Sequence, residues 1–158
     1  MKKIKYGSLK EVEIKEVSVL IEKLFNEFIG PDYGQEGKDT FLEYISICQI
    51  MERNKKENHF FLTAKDQDKI VGVIEVRDFN HISLLFVDQV YHRKGIASML
   101  LKKAVELCLK VKPKLEELEV NSSPYAEHIY EKLGFAKTED KQEQDGIIYI
   151  PMKYKINN

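Results

Sequence analysis

Apolar positions change their spacing along this chain, and each change marks a new element. Residues 3–6 (KIKY) read as a short first strand closed by Gly7-Ser8. From Val17 the apolar residues Leu20, Ile21, Leu24, Phe25 and Phe28 recur at steps of three and four. That spacing predicts an amphipathic helix over about 12–29, stopped by Gly30-Pro31. GPDYGQEGK (30–38) reads as a loop. A second helix is expected over 38–55, carrying Phe41, Leu42, Ile45 and Cys48, with Asp39 or Thr40 near its cap. RNKKEN then interrupts the apolar pattern.

Beyond residue 58 the period falls to two. HFFLTA (59–64), KIVGVIEVRD (69–78) and HISLLFV (81–87) read as three strands of an antiparallel meander, joined by KDQD and by Asp78-Phe79-Asn80. Val71, Val73, Glu75 and Arg77 alternate with Ile70, Gly72, Ile74 and Val76. The period returns to that of a helix over 94–109. A strand at 115–120, a short helix at 124–133 ended by Gly134, and two strands in FAKTED and IIYIPMKY around the polar link KQEQDG complete the chain. Ser123 can cap that short helix, and Pro124 suits its first turn. With no internal repeat or low-complexity linker, residues 1–158 read as one mixed α/β domain.

Composition narrows the function classes. The 158 residues include 25 Lys plus Arg against 26 Asp plus Glu, a net charge of -1. Without a basic excess, nucleic acid is not the expected partner. Cys48 and Cys108 lack metal-ligand spacing and read as inert buried thiols. His59, His81, His92 and His128 form no zinc pattern, so no metal is expected. MKKIKYGSL lacks the apolar stretch of a signal peptide, and no run approaches the ~18 apolar residues of a membrane span. A cytoplasmic soluble protein, a monomer or homodimer without a membrane partner, is the expectation.

The chemistry-bearing stretch is His92-Arg93-Lys94-Gly95-Ile96-Ala97-Ser98, which follows the strand 81–87 and opens the helix after it. The first turn of a helix has backbone N–H groups without internal partners and partial positive charge from the helix dipole. Glycine lets a bulky anion approach the main chain. The amides of 93–98 can therefore converge on a phosphate or pyrophosphate, with Arg93 and Lys94 adding charge. The stretch matches neither GxxxxGK[ST] nor GxGxxG. A second strand and helix follow, with Asn121 at the strand end and Tyr130 on the helix.

On these residues the sequence resembles the GNAT superfamily of acyl-CoA-dependent N-acyltransferases. Residues 92–97 match the family's [Q/R]-x-x-G-x-[G/A] motif, with His92 in place of Gln or Arg. Val120-Asn121, Ala126 and Tyr130-Glu131-Lys132-Leu133-Gly134-Phe135 match its second block. The resemblance spans roughly 59–154. It implies a mixed α+β fold: a central, mostly antiparallel twisted sheet, splayed between the fourth and fifth strands and flanked by about four helices. It also implies acetyl-CoA as cosubstrate, its pantetheine in the splay near Phe86 and Val87 and its pyrophosphate on the amides of 93–98.

The implied reaction is direct attack of a primary amine, of a small molecule or a peptide, on the acetyl thioester. By resemblance Tyr130 is the general acid toward the leaving thiolate. The base, acting through water, is His81 or Glu75: a histidine has a suitable reference pKa of about 6.5, and burial can raise that of a mid-strand glutamate. A main-chain N–H near Val87 is the expected oxyanion donor. Tyr33 and Phe79 are candidate acceptor-site aromatics. The alternatives are an acyl-CoA-binding sensor or partner module without turnover, and a nucleotide-binding domain.

Overall fold

The computed structural model describes residues 3–156. The chain opens with β1 (Ile4–Ser8). After a 3₁₀ turn comes α1 (Ile14–Leu24), which buries Ile14, Val17, Leu20, Ile21 and Leu24 on one face. The helix predicted over 12–29 keeps its apolar stripe but not its uniformity. At Phe25–Ile29 it widens into a π turn, and Gly30–Asp32 close it as a 3₁₀ turn with Pro31 near its start.

The expected second helix is two helices. α2 (Gln35–Tyr44) begins inside the stretch read as loop, capped by Gly34 rather than by Asp39 or Thr40. α3 (Ile47–Asn54) restarts after Ile45, and the Ser46 hydroxyl accepts from the Gln49 N–H at 3.3 Å as its cap. The break turns Cys48 outward, so this thiol is exposed rather than buried. Cys108 is buried as expected, and burial pushes its thiol up to about 11.

β2 (His59–Asp66), β3 (Lys69–Arg77) and β4 (His81–Val87) form the antiparallel meander. α4 (Ile96–Val111), β5 (Glu117–Ser122), α5 (Glu127–Leu133), β6 (Phe135–Lys137), β7 (Gln142–Gln144) and β8 (Ile147–Lys155) follow. The strand order is β1-β2-β3-β4-β5-β8-β6, with β7 also on β8. Over the described residues the architecture is thus mixed α+β, with five α-helices about an eight-stranded sheet that is antiparallel except between β4 and β5.

β7 lies in the stretch read as a polar link. Asp145 and Gly146, at φ 52° and 79°, turn the chain directly into β8, as a two-residue hairpin demands. Pro151 sits where β8 passes from its pairing with β7 to its pairing with β6, and its carbonyl accepts from Thr138 N at 2.9 Å. The missing proline N–H therefore faces a gap between partners, where it costs no ladder bond.

Two apolar clusters cover the two faces. Leu62, Ile74, Val76, Ile82, Ile96, Leu100 and Leu118 pack beneath α4. Ile14, Val17, Ile21, Ile50, Phe61, Val73 and Leu84 pack beneath α1 and α3. Each such side chain removed from water contributes roughly 1.5–3 kcal/mol. Gly72 admits α4 closely: a Cβ there would stand 3.2 Å from Ile96 and 3.3 Å from Leu100.

A buried ion pair lies against the second cluster. Glu75 is fully buried, and its Oε2 accepts from Arg53 Nε at 2.8 Å and lies 3.0 Å from His59 Nδ1. Arg53 also donates to the Tyr44 carbonyl at 2.8 Å and lies 3.7 Å from the centre of the Tyr44 ring. Removing one member of a buried ion pair strands the other. Arg53→Met is therefore expected to destabilise the protein by about 3–5 kcal/mol in urea unfolding. Arg53→Met with Glu75→Leu should recover a large part of that loss; a double variant as unstable as the single one would refute this account.

Candidate active site

The parting of β4 from β5 builds the site. The two strands pair only at His81–Glu119 and Ile82–Val120, then diverge. Register decides which main-chain groups are left free. Asp88 N donates to Val71 O at 2.8 Å and Gly72 pairs with Val87, so bonded pairs alternate with unbonded ones along β3 and β4. Phe86 spends its N–H and C=O on Val73, whereas those of Leu85 and Val87 face the open side. On β5 the same alternation turns the main chain of Asn121 toward the splay, since its partner Pro151 directs its carbonyl to Thr138. Phe86 thus offers a ring rather than main-chain partners, and Leu85, which the sequence did not single out, turns its main chain to the open side.

A cavity of about 580 Å³ opens along this splay. β4 contributes residues 81–86; Asn121, Ser123, Ala126 and Tyr130 come from β5 and α5; and Phe25, Tyr33, Phe41 and Tyr44 come from the helices before β2. The β7–β8 hairpin closes the remaining side with Asp145 and Tyr149. Its placement is tight. A Cβ on Gly37 would lie 2.2 Å from Gly146 O, and one on Gly146 would lie 2.4 Å from Gly37 N. Thr40 Oγ1 donates to Asp145 O at 3.0 Å, and the Tyr33 hydroxyl donates to Ile148 O at 3.1 Å. Burial, followed by the nearby Asp32 charge, pushes the Tyr33 hydroxyl up to about 12.

Tyr130 is buried against Phe135, the ring centres 5.2 Å apart, and it lines the cavity. Burial alone raises its pKa well above the ordinary tyrosine value, so it keeps its proton at neutral pH. Its helix is shorter than the sequence suggests: Ser123 Oγ accepts from Ala126 N at 3.2 Å, and the regular turns start only at Glu127.

His81 lies at the closed end of the splay, its Nδ1 3.7 Å from Glu119 Oε2. Burial, then the Arg77 charge, lowers its pKa, while Glu119 and Asp78 oppose that shift. The structure does not bring the rival base Glu75 here; it lies beneath the sheet on Arg53 and His59, outside the cavity wall. Phe79 is also elsewhere. It occupies a left-handed turn position at φ 54° and stacks on Phe60 at 5.9 Å.

The glycine-bearing knot continues β4 outward. Asp88 caps a 3₁₀ turn at Gln89–Tyr91 by accepting from Val90 N at 3.1 Å. His92 Nε2–H donates to Val87 O at 2.7 Å, which ties the knot to its own strand. Arg93 and Gly95 adopt φ 65° and 77°, and a Cβ on Gly95 would meet nothing within 4 Å. The first intrahelical bond runs from Met99 N to Gly95 O at 3.0 Å, leaving the amides of Ile96, Ala97 and Ser98 ahead of it. The Ile96 side chain is 2% exposed and belongs to the core, so only its main chain faces the knot. Arg93, Lys94 and Ser98 are exposed. Among the described residues, no group of three His, Cys, Asp or Glu is placed to hold a metal, and no helix is long and apolar enough to cross a membrane.

Known proteins share this arrangement. The chain superimposes on a GCN5-related N-acetyltransferase from Rhodopseudomonas palustris with a TM-score of 0.80 at 15% identity, over 99% of this chain and 98% of that one. It superimposes on the PaiA N-acetyltransferase of Thermoplasma acidophilum, in complex with coenzyme A, with a TM-score of 0.78 at 19% identity, over 98% and 99%. The spermidine N-acetyltransferase of Vibrio cholerae, in complex with CoA and spermine, gives 0.64 at 16% identity, over 96% and 95%. At such identities the likeness is one of fold. The sequence model of the acetyltransferase (GNAT) domain matches residues 29–156, from the end of α1 through β8, and the chain belongs to that family.

Proposed function

We propose that this protein transfers an acetyl group from acetyl-CoA to the primary amine of a small molecule. The observation that carries the reading is the wedge between β4 and β5. It presents both main-chain groups of Leu85, the Val87 N–H and the Asn121 carbonyl on its open side, has Tyr130 and His81 on its cavity walls, and leads along β4 to the amide-rich start of α4.

The residues present suit this cosubstrate. Its amide-bearing arm would find main-chain partners at Leu85, and its pyrophosphate would find the amides of 95–98 with Arg93 and Lys94 beside them. The open space at Gly95 leaves the approach clear. Acetyl-CoA supplies the activated thioester. His81, kept neutral by burial and by Arg77, takes the proton of the acceptor ammonium through water. Tyr130 holds its proton and donates to the departing thiolate. The Val87 N–H remains available to the developing oxyanion, because His92 engages the carbonyl of that residue and not its amide. The family resemblance and the CoA-bound structural neighbours support the reading.

A thiol-release assay with acetyl-CoA and a panel of primary amines tests it. Wild type should release thiol with at least one amine class. Tyr130→Phe should lower turnover by about 10²–10⁴ while CoA affinity stays near that of wild type. No thiol release with any amine, together with no thermal stabilisation by CoA, would overturn the proposal. Gly95→Glu places a carboxylate and a side chain at φ 77° beside the pyrophosphate, and calorimetry should show CoA affinity falling at least about tenfold. Retained affinity would move the pyrophosphate elsewhere.

The pH profile reports on His81. The acid limb of kcat/KM should lie below 6.5, the ordinary histidine value. Glu119→Gln removes a charge that favours imidazolium, so the limb should move to lower pH. A limb that does not move removes His81 from the proton path.

A further inference from the structure

Among the described residues, Arg77 is the cavity-wall cation without an ion-pair partner. It ends β3 directly opposite His81 on β4, is exposed, and lines the same cavity. The acids around it are occupied elsewhere. Asp78 accepts from Asn58 Nδ2 at 2.8 Å, Glu119 lies between His81 and Lys153, and Glu75 is held by Arg53 and His59. Glu43 and Asp145, the acids of the cavity wall, stand on α2 and on the β7–β8 turn, and neither reaches ion-pair distance of Arg77. Arg77 lines the cavity beside both His81 and Tyr44, and its charge disfavours the protonated form of His81.

Ser83, at the irregularity where β4 shifts register against β3, has its Oγ buried beside the Tyr44 hydroxyl, away from solvent. Tyr44 is itself fixed, its carbonyl accepting from Arg53 and its ring stacked under the Arg53 guanidinium. A planar guanidinium suits a carboxylate, which can accept from two of its N–H groups at once.

The geometry points to Arg77 as the residue that selects an acceptor amine bearing a carboxylate: an amino acid rather than a polyamine. Opposed residues on antiparallel strands stand about 4.5–5.5 Å apart at Cβ. A proton accepted at His81 and an anion bound at Arg77 therefore belong to groups only a few bonds apart in one small molecule. A second ammonium at that spacing would meet the guanidinium and be repelled. This inference rests on the acetyltransferase reading, which places the acceptor in this cavity.

Matched pairs of an amino acid and its primary amide test the assignment in the thiol-release assay. Wild type should prefer the acid by at least about tenfold in kcat/KM, the worth of a charge-assisted hydrogen bond. Arg77→Gln should collapse that preference toward parity, chiefly by raising KM for the acid, and Arg77→Lys should retain part of it. A readout independent of turnover is calorimetric binding of the N-acetyl amino acid, and of its amide, to the CoA complex. Wild type should bind the carboxylate more tightly and Arg77→Gln should lose the difference. Equal binding of acid and amide by wild type overturns the assignment, as does a polyamine preference that Arg77→Gln leaves intact. Carboxylate-selective binding without thiol release from any amine would support Arg77 while telling against acetyl transfer.

Discussion

A sheet whose fourth and fifth strands part after two residue pairs must leave backbone donors and acceptors unmatched, and the rest of this molecule is arranged around that fact. A buried polar group without a partner costs about 1–3 kcal/mol. The divergence is therefore tolerable only where water or a ligand can enter, and here Leu85 and Asn121 border a cavity of about 580 Å³. β5 is not weakened by the parting, because β8 pairs with it along its whole length, from Glu117 to Ser122. The opening is thus confined to one side of one strand.

One rung of the sheet connects the wedge to the helix that follows. Gly72 and Val87 face each other across β3 and β4. The glycine lets Ile96 and Leu100 approach the sheet, and Val87 offers its carbonyl to His92. The start of α4 is therefore fixed twice, from below by packing and from the side by a hydrogen bond. On the other face the buried Arg53–Glu75 pair fixes Tyr44, and with it the end of α2, on the cavity wall. Buried ionic pairs are weak contributors to stability; this one joins a helix, a strand and a helix end at one point.

Much of this was legible in the chain, for identifiable reasons. The strand at 81–87 appears at its full extent because alternation and bounding turns coincide there. The glycine-bearing turn at 92–98 and the tyrosine at 130 are local patterns; the structure puts the turn at the start of α4 and the tyrosine on the cavity wall. What escaped depends on distant partners. Nothing near Glu75 in sequence announces Arg53, 22 residues away, so its burial read equally well as a tuned base. Phe79 looked like a pocket aromatic because the face it takes is decided by stacking on Phe60. Leu85 and Phe86 exchange main-chain roles according to register, which one strand alone does not define. Two misses had local signals that were passed over: Ser46 ahead of an apolar helix start, and Asp145-Gly146 as a hairpin turn.

The meeting of Gly37 with Gly146 has a consequence for how this protein can change over time. Two backbones touch there with no side chain between them, 109 positions apart in the chain. Replacing either glycine would prise the β7–β8 turn from α2 and widen the chamber from its far wall. Diversification of this chamber is therefore channelled into the side chains around that joint, such as Thr40, Asp145 and Tyr149, while the joint itself stays bare.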